Sequence, residues 1–200
     1  MTLFKQKYRI ESTRLRGWDY SAAGYYFVTF CTGGREPCLG QVVDSDVRLS
    51  PFGEIVAEEW LRTETIRPNV RLDEWIIMPN HVHGIIVITH PVSIGGEPGN
   101  VETGRRPVST GDGGALGETG RRPVSTGNIH PNSLGSIVGQ IKSITTKRIR
   151  LAGKPDFHWQ ERFYDRIIRD EEALLKARAY IIGNPSKWLH DKDNVAGVFM

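Results

Sequence analysis

The stretch LDEWIIMPNHVHGIIVI, residues 72–88, decides the fold of this chain. Two apolar runs, Val70–Met78 and His81–Ile88, are rich in β-branched residues and meet at Pro79-Asn80, a pair typical of a turn. The pattern therefore predicts two strands joined by a short connection.

The second of these strands begins with a pair of histidines, His81 and His83. Side chains alternate along a strand, so both imidazoles lie on one face while Val82 points into the core. Two imidazoles this close can bind a divalent metal. The spacing alone is a weak signal, and a partly exposed polar strand face is the alternative interpretation.

Strands and helices alternate through the rest of the chain. Further strands are predicted at 25–32, 40–43 and 47–49 and within 157–168, and helices at 51–65, 133–152 and 171–183. The order strand, helix, strand, strand, helix, strand, helix favours an α+β fold. We expect a small antiparallel sheet with helices packed on one face.

Composition indicates a single soluble domain. The 200 residues are 38% hydrophobic and 24% charged, and their apolar runs are shorter than the roughly 20 residues of a membrane span. The basic N-terminal segment lacks the apolar run and cleavage site of a secretion signal, so we expect no membrane partner and a cytoplasmic location. In a reducing cytosol Cys31 and Cys38 are expected to be free thiols.

Residues 92–132 differ in composition from the remainder. They hold ten of the 22 glycines, and the decapeptide ETGRRPVSTG occurs in them twice, at 102–111 and 118–127. Such a segment cannot build an apolar core. We therefore expect one domain made of residues 1–91 and 133–200, interrupted by a disordered insertion at 92–132.

Tyr180 and Asn184 stand four residues apart on the last predicted helix and so share a face. A tyrosine can attack a phosphodiester and form a phosphotyrosine linkage if a metal neutralises the phosphate oxygens. Asn184 could supply a third metal ligand. The alternatives are a tyrosine packed in the core and an asparagine that caps the helix.

Three segments together carry a family resemblance: IESTRLRGWDYSAAGYYFVTFCT at 10–32, LDEWIIMPNHVHGIIVI at 72–88, and FHWQERFYDRIIRDEEALLKARAYIIGNPSKW at 157–188. On these motifs the chain resembles the REP-associated tyrosine transposases of the HUH single-strand nuclease and transposase class. MPNHVHGIIVI followed by YIIGNPSKW is far more specific than either motif alone. The resemblance covers nearly the whole chain outside the insertion.

The resemblance implies a role for each candidate residue. His81 and His83 become the metal-binding pair, Tyr180 the catalytic nucleophile, and Asn184 the polar residue that completes metal binding. The implied fold is a ferredoxin-like antiparallel sheet with the histidines on a central strand and the tyrosine on a mobile C-terminal helix. Tyr164, in the strand before that helix, is a rival nucleophile for which the resemblance favours a structural role.

The implied reaction is metal-assisted transesterification of single-stranded DNA at palindromic repeat hairpins, with Mg²⁺ or Mn²⁺ as cofactor and a 5′-phosphotyrosine intermediate. The partner is single-stranded or hairpin DNA, and the protein is expected to be a monomer or a homodimer. Two basic patches could contact this DNA, against the alternative of a solvated helix face or tail. Their candidate residues are Arg9, Arg14, Arg16, Lys142, Lys147 and Arg148.

Three other functions remain open from the sequence. The chain could be a domesticated, non-catalytic protein that binds repeat hairpins, although a pure binder needs neither a metal pair nor a nucleophile. It could be a replication or mobilisation nicking enzyme of the same class, although 200 residues leave no room for an attached helicase. A metal hydrolase would release its product without a covalent adduct.

Overall fold

The computed structural model describes residues 3–4, 7–8, 15, 17–90 and 131–190. Its strands are β1 Leu3–Phe4, β2 Lys7–Tyr8, β3 Gly24–Cys31, β4 Gly40–Val43, β5 Asp46–Leu49, β6 Val70–Met78, β7 His81–Ile88 and β8 Tyr164–Ile168. Its helices are α1 Pro51–Ile66, α2 Leu134–Leu151 and α3 Glu171–Ile182, with short 3₁₀ segments at Gly33–Arg35 and Pro185–His190. These bounds lie close to those predicted from the sequence.

A four-stranded antiparallel sheet forms the centre of the fold, in the order β6-β7-β3-β8. Apart from β4 and β5, which pair with each other in a separate hairpin, the elements from β3 to β8 run strand, helix, strand, strand, helix, strand, which is the ferredoxin-like arrangement. The predicted α+β antiparallel sheet is confirmed. Because β7 and β3 are the two inner strands, the histidines of β7 lie on a central strand, as expected.

One face of the sheet packs against α1 and α2 and holds the larger core. Alternate residues of the inner strands point to this side. The ring of Trp60 from α1 stacks on that of Phe30 at a centroid distance of 6.4 Å and lies 6.3 Å from the ring of Trp75. The buried members from the sheet are Tyr26, Val28, Phe30, Val70, Ile77, Val82, Ile86 and Ile88, and those from the helices include Val56, Trp60, Leu134, Ile137, Val138, Ile141 and Ile149.

The third helix lies on the opposite face, which corrects the expectation that all helices pack on one face. Leu174 and Ile181 of α3 are buried against Phe27, Ile85 and Ile168 of the sheet. The physical reason is that the inner strands carry apolar residues on both of their faces, so each face needs a cover. α1 and α2 cover one face, as predicted, and α3 covers part of the other.

Each helix begins where a polar side chain caps it. Ser50 Oγ accepts a hydrogen bond from Gly53 N at 3.2 Å at the start of α1. Ser133 plays the same part for α2, and Asp170 Oδ1 accepts from Ala173 N at 2.7 Å for α3. These caps satisfy backbone N–H groups that have no partner within the helix.

The two ends of the predicted insertion are tied to the same corner of the domain. The guanidinium of Arg67 donates to the carbonyl of Pro131 at 2.5 Å and to Oδ1 of Asn132 at 3.1 Å, just before α2. Thr89 N donates to Asn69 O at 2.8 Å, just after β7. The predicted insertion itself, 92–132, lies almost wholly outside the described residues. None of the described helices is long and apolar enough to cross a membrane.

The packing of Gly84 generates a stability prediction. A Cβ at Gly84 would overlap the ring of the buried Trp60, so Gly84→Ala is expected to lower the free energy of unfolding by about 1–3 kcal/mol. Gly139, in the middle of α2, has no neighbouring atom within 4 Å of such a Cβ. Gly139→Ala should therefore raise stability by about 0.5–1 kcal/mol. Urea unfolding measures both, and equal midpoints for Gly84→Ala and the parent protein would contradict the packing argument.

Candidate functional site

The two histidines form a buried pair at the start of β7. His81 is fully buried and His83 is 3% exposed, and their ring centroids lie 4.4 Å apart. The alternative interpretation, a partly exposed polar strand face, is therefore wrong. Two imidazoles held this close inside the protein require specific hydrogen bonds to fix their orientation.

Asn80 orients His81. Its side-chain Oδ1 lies 2.8 Å from Nδ1 of His81, while its Nδ2 donates to the carbonyl of Arg35 at 3.0 Å. A carbonyl oxygen can only accept, so Nδ1 of His81 carries the hydrogen, and the lone pair of the neutral ring is on Nε2. Nε2 is thus the nitrogen through which His81 would bind a metal.

Thr29 orients His83 from the neighbouring strand. It stands directly opposite His83 in the β3–β7 register, and its Oγ1 lies 2.7 Å from Nδ1 of His83. With Nδ1 engaged, His83 too would bind a metal through Nε2. The sequence analysis missed this role, because the pairing of Thr29 with His83 depends on contacts between residues 54 positions apart.

Tyr180 lies beside the histidine pair. Its ring centroid is 5.2 Å from that of His83 and 6.0 Å from that of Phe27, both in edge-on geometry. The side chain is nevertheless 45% exposed. A tyrosine in the core is therefore excluded, and Tyr180 combines contact with a histidine and access to solvent.

Tyr164 occupies a related position two strands from His83. It stands opposite Thr29 on β8, is 53% exposed, and its ring lies 6.4 Å from the ring of Phe27. Both tyrosines thus contact Phe27 edge-on. The structure places Tyr164 on an open surface rather than in the core, and it is Tyr180 that contacts His83.

Asn184 follows α3 and is 2% exposed. Tyr180, one turn before it, contacts His83, and the ring of Trp188, one turn after it, lies 6.0 Å from that of His81. The backbone therefore brings Asn184 to the level of the histidine pair. Within the described residues no group donates a hydrogen bond to its buried Oδ1, an acceptor for which a cation would compensate.

The donor set at this place is two imidazoles and one amide oxygen. No cluster of three or more His, Cys, Asp or Glu side chains that could hold a metal occurs in the described parts of the chain. His81, His83 and Asn184 fit a divalent ion by the chemistry of their donors and by the buried Oδ1. Such a set of three would leave positions on the ion for water or substrate.

A groove of about 830 Å³ opens beside Tyr180, between β3, β8 and α3. Four cationic side chains line it, along with two acids, Asp170 and Glu172. Asp170 caps α3 and Glu172 pairs with Lys176. The cations are Arg35, Arg162, Arg166 and Lys176. Three arginines therefore set the charge of the groove, and aromatic rings on the same wall offer surfaces for stacking.

The sequence itself carries a signal for this groove, in the pattern RFYDR at 162–166. Arg162, Tyr164 and Arg166 alternate at the spacing of two that places side chains on one face of a strand. In the structure Arg166 stands opposite Phe27, and all three residues line the groove. The pattern RFYDR could therefore have identified a basic and aromatic strand face.

Of the six cations predicted to bind DNA, the three that the structure describes lie away from the groove. Arg9, Arg14 and Arg16 fall outside the described residues. Lys142, Lys147 and Arg148 belong to α2, which packs on the face of the sheet opposite Tyr180. The structure therefore does not bring these three side chains to the groove.

Two of these α2 cations are engaged by other groups. Lys142 Nζ donates to the carbonyl of Gln160 at 2.5 Å, and burial lowers the pKa of Lys142. Arg148 pairs with Glu58 at 2.5 Å and Glu59 at 2.8 Å. Lys147, in contrast, is exposed. Contact between these residues and DNA stays a prediction, and Lys147 is the one whose exposure suits it best.

Comparison with known proteins places the chain in a family. No family model matches it. An uncharacterised protein of Haemophilus influenzae is 31% identical over 181 residues, which cover 90% of this chain and 91% of that protein. The solved structure of a REP-associated tyrosine transposase bound to a REP hairpin superposes with a TM-score of 0.53 at 17% identity, over 89% of this chain and 74% of that one. The chain therefore belongs to one family with the Haemophilus influenzae protein and has the fold of the REP-associated tyrosine transposase.

Proposed function

We propose that this protein is a tyrosine transposase that cleaves and rejoins single-stranded DNA at hairpins with the help of a divalent metal. The observation that carries the proposal is the contact of the exposed Tyr180 with His83, at the edge of an arginine-lined groove. The structural neighbour is bound to a REP hairpin, which supports a palindromic hairpin as the partner. A pure binding protein would require neither the buried histidine pair nor the tyrosine beside it.

His81, His83 and Asn184 would hold the metal. An Mg²⁺ or Mn²⁺ ion bound there supplies a Lewis acid that neutralises charge on the scissile phosphate. Asn80 and Thr29 would keep both Nε2 atoms directed at the ion. Of the two predicted ions, Mn²⁺ suits this set better, because Mg²⁺ prefers oxygen ligands and two of the three donors are imidazoles.

Tyr180 supplies the nucleophile. Its hydroxyl oxygen attacks the phosphorus, a bond forms between them, and the bond from phosphorus to the 3′ oxygen breaks. The proton of the tyrosine is transferred and ends on the 3′ oxygen, giving a 5′-phosphotyrosine and a free 3′-hydroxyl. Attack of a 3′-hydroxyl on the phosphotyrosine reverses these steps and rejoins the strand. One phosphodiester replaces another, so the cycle needs no external energy source.

The groove would hold the single strand next to the scissile phosphate. Arg166 lies on the same face of β8 as Tyr164, and Arg162, just before the strand, lines the same groove, so phosphates can contact the guanidiniums while a base stacks on the ring. Alternation of charge and aromatic surface is typical of proteins that bind single strands without reading their sequence. We assign Tyr164 to this binding surface rather than to the chemical step.

The proposed function generates three predictions, and the first of them concerns the nucleophile. Incubation of the protein with Mn²⁺ or Mg²⁺ and labelled hairpin oligonucleotides should give a covalent protein–DNA band on a denaturing gel. Tyr180→Phe should abolish this band, because it removes the attacking oxygen and keeps the ring against His83. Tyr164→Phe is the matched control, and it should retain the band because the stacking ring is unchanged.

Other outcomes would point to other functions. Cleavage without an adduct would indicate a metal hydrolase. Hairpin binding with neither cleavage nor adduct would indicate a domesticated binding protein. An adduct lost with Tyr164→Phe and kept with Tyr180→Phe would reverse the assignment of the two tyrosines.

The second prediction concerns the metal. Mn²⁺ binding, followed by electron paramagnetic resonance of free Mn²⁺, should be lost in His81→Ala and His83→Ala. Thr29→Val should weaken it by about 10-fold or more, because the variant removes the group that orients His83. His158→Ala, which alters an exposed histidine outside the site, is the control. Equal Mn²⁺ affinity in His83→Ala and the parent protein would refute the site.

The third prediction concerns the groove, measured with Tyr180→Phe protein so that no strand is cut. Arg166→Ala should lower the affinity for an unstructured single strand and reduce the slope of log affinity against log salt by about 0.7. Arg62→Ala removes an exposed arginine from α1, on the other side of the sheet, and should change neither quantity. Equal losses in the two variants would mean that net charge rather than the groove controls binding.

A further inference from the structure

We propose that the ion pair between Asp73 and Arg178 sets the rotation of α3 about its axis and thereby positions Tyr180 against His83. This inference rests on the proposed function for its consequence in catalysis, but the geometry of the pair stands independently. Arg178 precedes Tyr180 by two residues on α3, and Asp73 belongs to β6 at the edge of the sheet. Both are positioning residues, since neither is assigned to the reacting atoms.

The pair is bidentate and shielded. Nε of Arg178 donates to Oδ1 of Asp73 at 2.8 Å, and Nη2 donates to Oδ2 at 2.6 Å. The side chain of Asp73 is only 15% exposed and that of Arg178 36%. Two parallel hydrogen bonds between planar groups fix direction as well as distance, which one contact to a point charge would not.

The carboxylate is itself held rigidly by an irregularity in the strand. The β6–β7 register shifts between Leu72 and Trp75, so two residues of β6, Asp73 and Glu74, stand where one would fit. The backbone N–H of Glu74 donates to Oδ1 of Asp73 at 2.7 Å. The extra residue also lets Trp75 face Trp60 in the main core while Asp73 faces α3.

The position of Arg178 on α3 explains why rotation is the motion that the pair controls. Leu174 and Ile181, seven residues apart, form the line along which α3 rests on the sheet. Arg178 and Tyr180 lie roughly 160° apart around the helix axis, on opposite sides of this line. Arg178 reaches β6, and Tyr180 reaches Phe27 on β3. Turning the helix about this line would lift one of the two side chains from the sheet and push the other toward it, so a loss of the ion pair and a displacement of Tyr180 go together.

The apolar contacts of α3 leave this rotation weakly opposed. Two of its twelve residues are buried, while Leu175 and Ile182 are more than half exposed. Apolar packing is non-directional and resists translation off the sheet better than a small turn about the helix axis. The Arg178 guanidinium holds the pKa of Asp73 below its usual range, so the pair is charged at neutral pH.

The test compares Asp73→Asn with Glu36→Gln. Each variant removes one charge from an ion pair between distant parts of the chain. The control pair, Glu36 with Lys154, has an O–N distance of 2.6 Å and does not involve α3. Asp73→Asn should lower the single-turnover rate of adduct formation about 10-fold or more, because a small displacement of the attacking hydroxyl slows the reaction strongly. The affinity for the hairpin should be unchanged. Hydrogen exchange should quicken in α3 and not in α1 or α2. Glu36→Gln should alter none of these.

Two further variants make the result specific. Arg178→Lys keeps the charge but makes a single contact, so its rate should fall between those of the parent and Asp73→Asn. Reversal of the pair, Asp73→Arg with Arg178→Asp, should restore much of the rate that either single change loses. Parent-like rate and exchange in Asp73→Asn would overturn the proposal. If the parent protein forms no adduct, the proposed function fails, while the exchange comparison still decides whether the pair holds α3.

Discussion

The pairing of β3 with β7 is the constraint on which the site depends. This register sets Thr29 opposite His83 and, one step along the same face, Phe27 opposite Ile85. It therefore supplies the hydrogen bond that orients the ring of His83, a proposed metal ligand, and the aromatic surface that both tyrosines contact. A slip by one residue would turn these side chains to the other face and replace them with core residues. The geometry of the site is thus specified by the same pairing that builds the core.

The larger core and the proposed site lie on opposite faces of the sheet. The side that packs on α1 and α2 contains the larger core of aromatic and aliphatic side chains, in which Gly84 leaves space for the ring of Trp60. The other side has a smaller apolar cluster under α3 and carries the histidines. Buried imidazoles need polar partners, and the short connection at Asn80 and the side chain of Thr29 provide them without disturbing the main core.

Local patterns predicted the elements well and long-range placement poorly. The bounds of β6 and β7 followed from the apolar runs around Pro79-Asn80, and the helices predicted at 51–65, 133–152 and 171–183 lie close to the observed ones. The face of the sheet on which α3 packs could not be deduced. The residue pattern of the inner strands shows that both faces are apolar, but it does not show which helix covers which face. The roles of Thr29 and Arg166 were missed for a similar reason. Each depends on which strand lies next to which, information that local periodicity does not contain.

The two parts of the proposed site differ in how firmly the fold holds them. The histidines lie on an inner strand, are buried, and have their Nδ1 atoms engaged, so their positions follow from the sheet. Tyr180 lies on a helix with two buried residues and is half exposed. The proposed metal ligands can stay fixed throughout the proposed reaction, whereas the proposed nucleophile must release and recapture a strand and so benefits from a support that can move. The Asp73–Arg178 ion pair reconciles these needs, because a bidentate contact fixes the tyrosine while it is formed and is broken at less cost than a buried core.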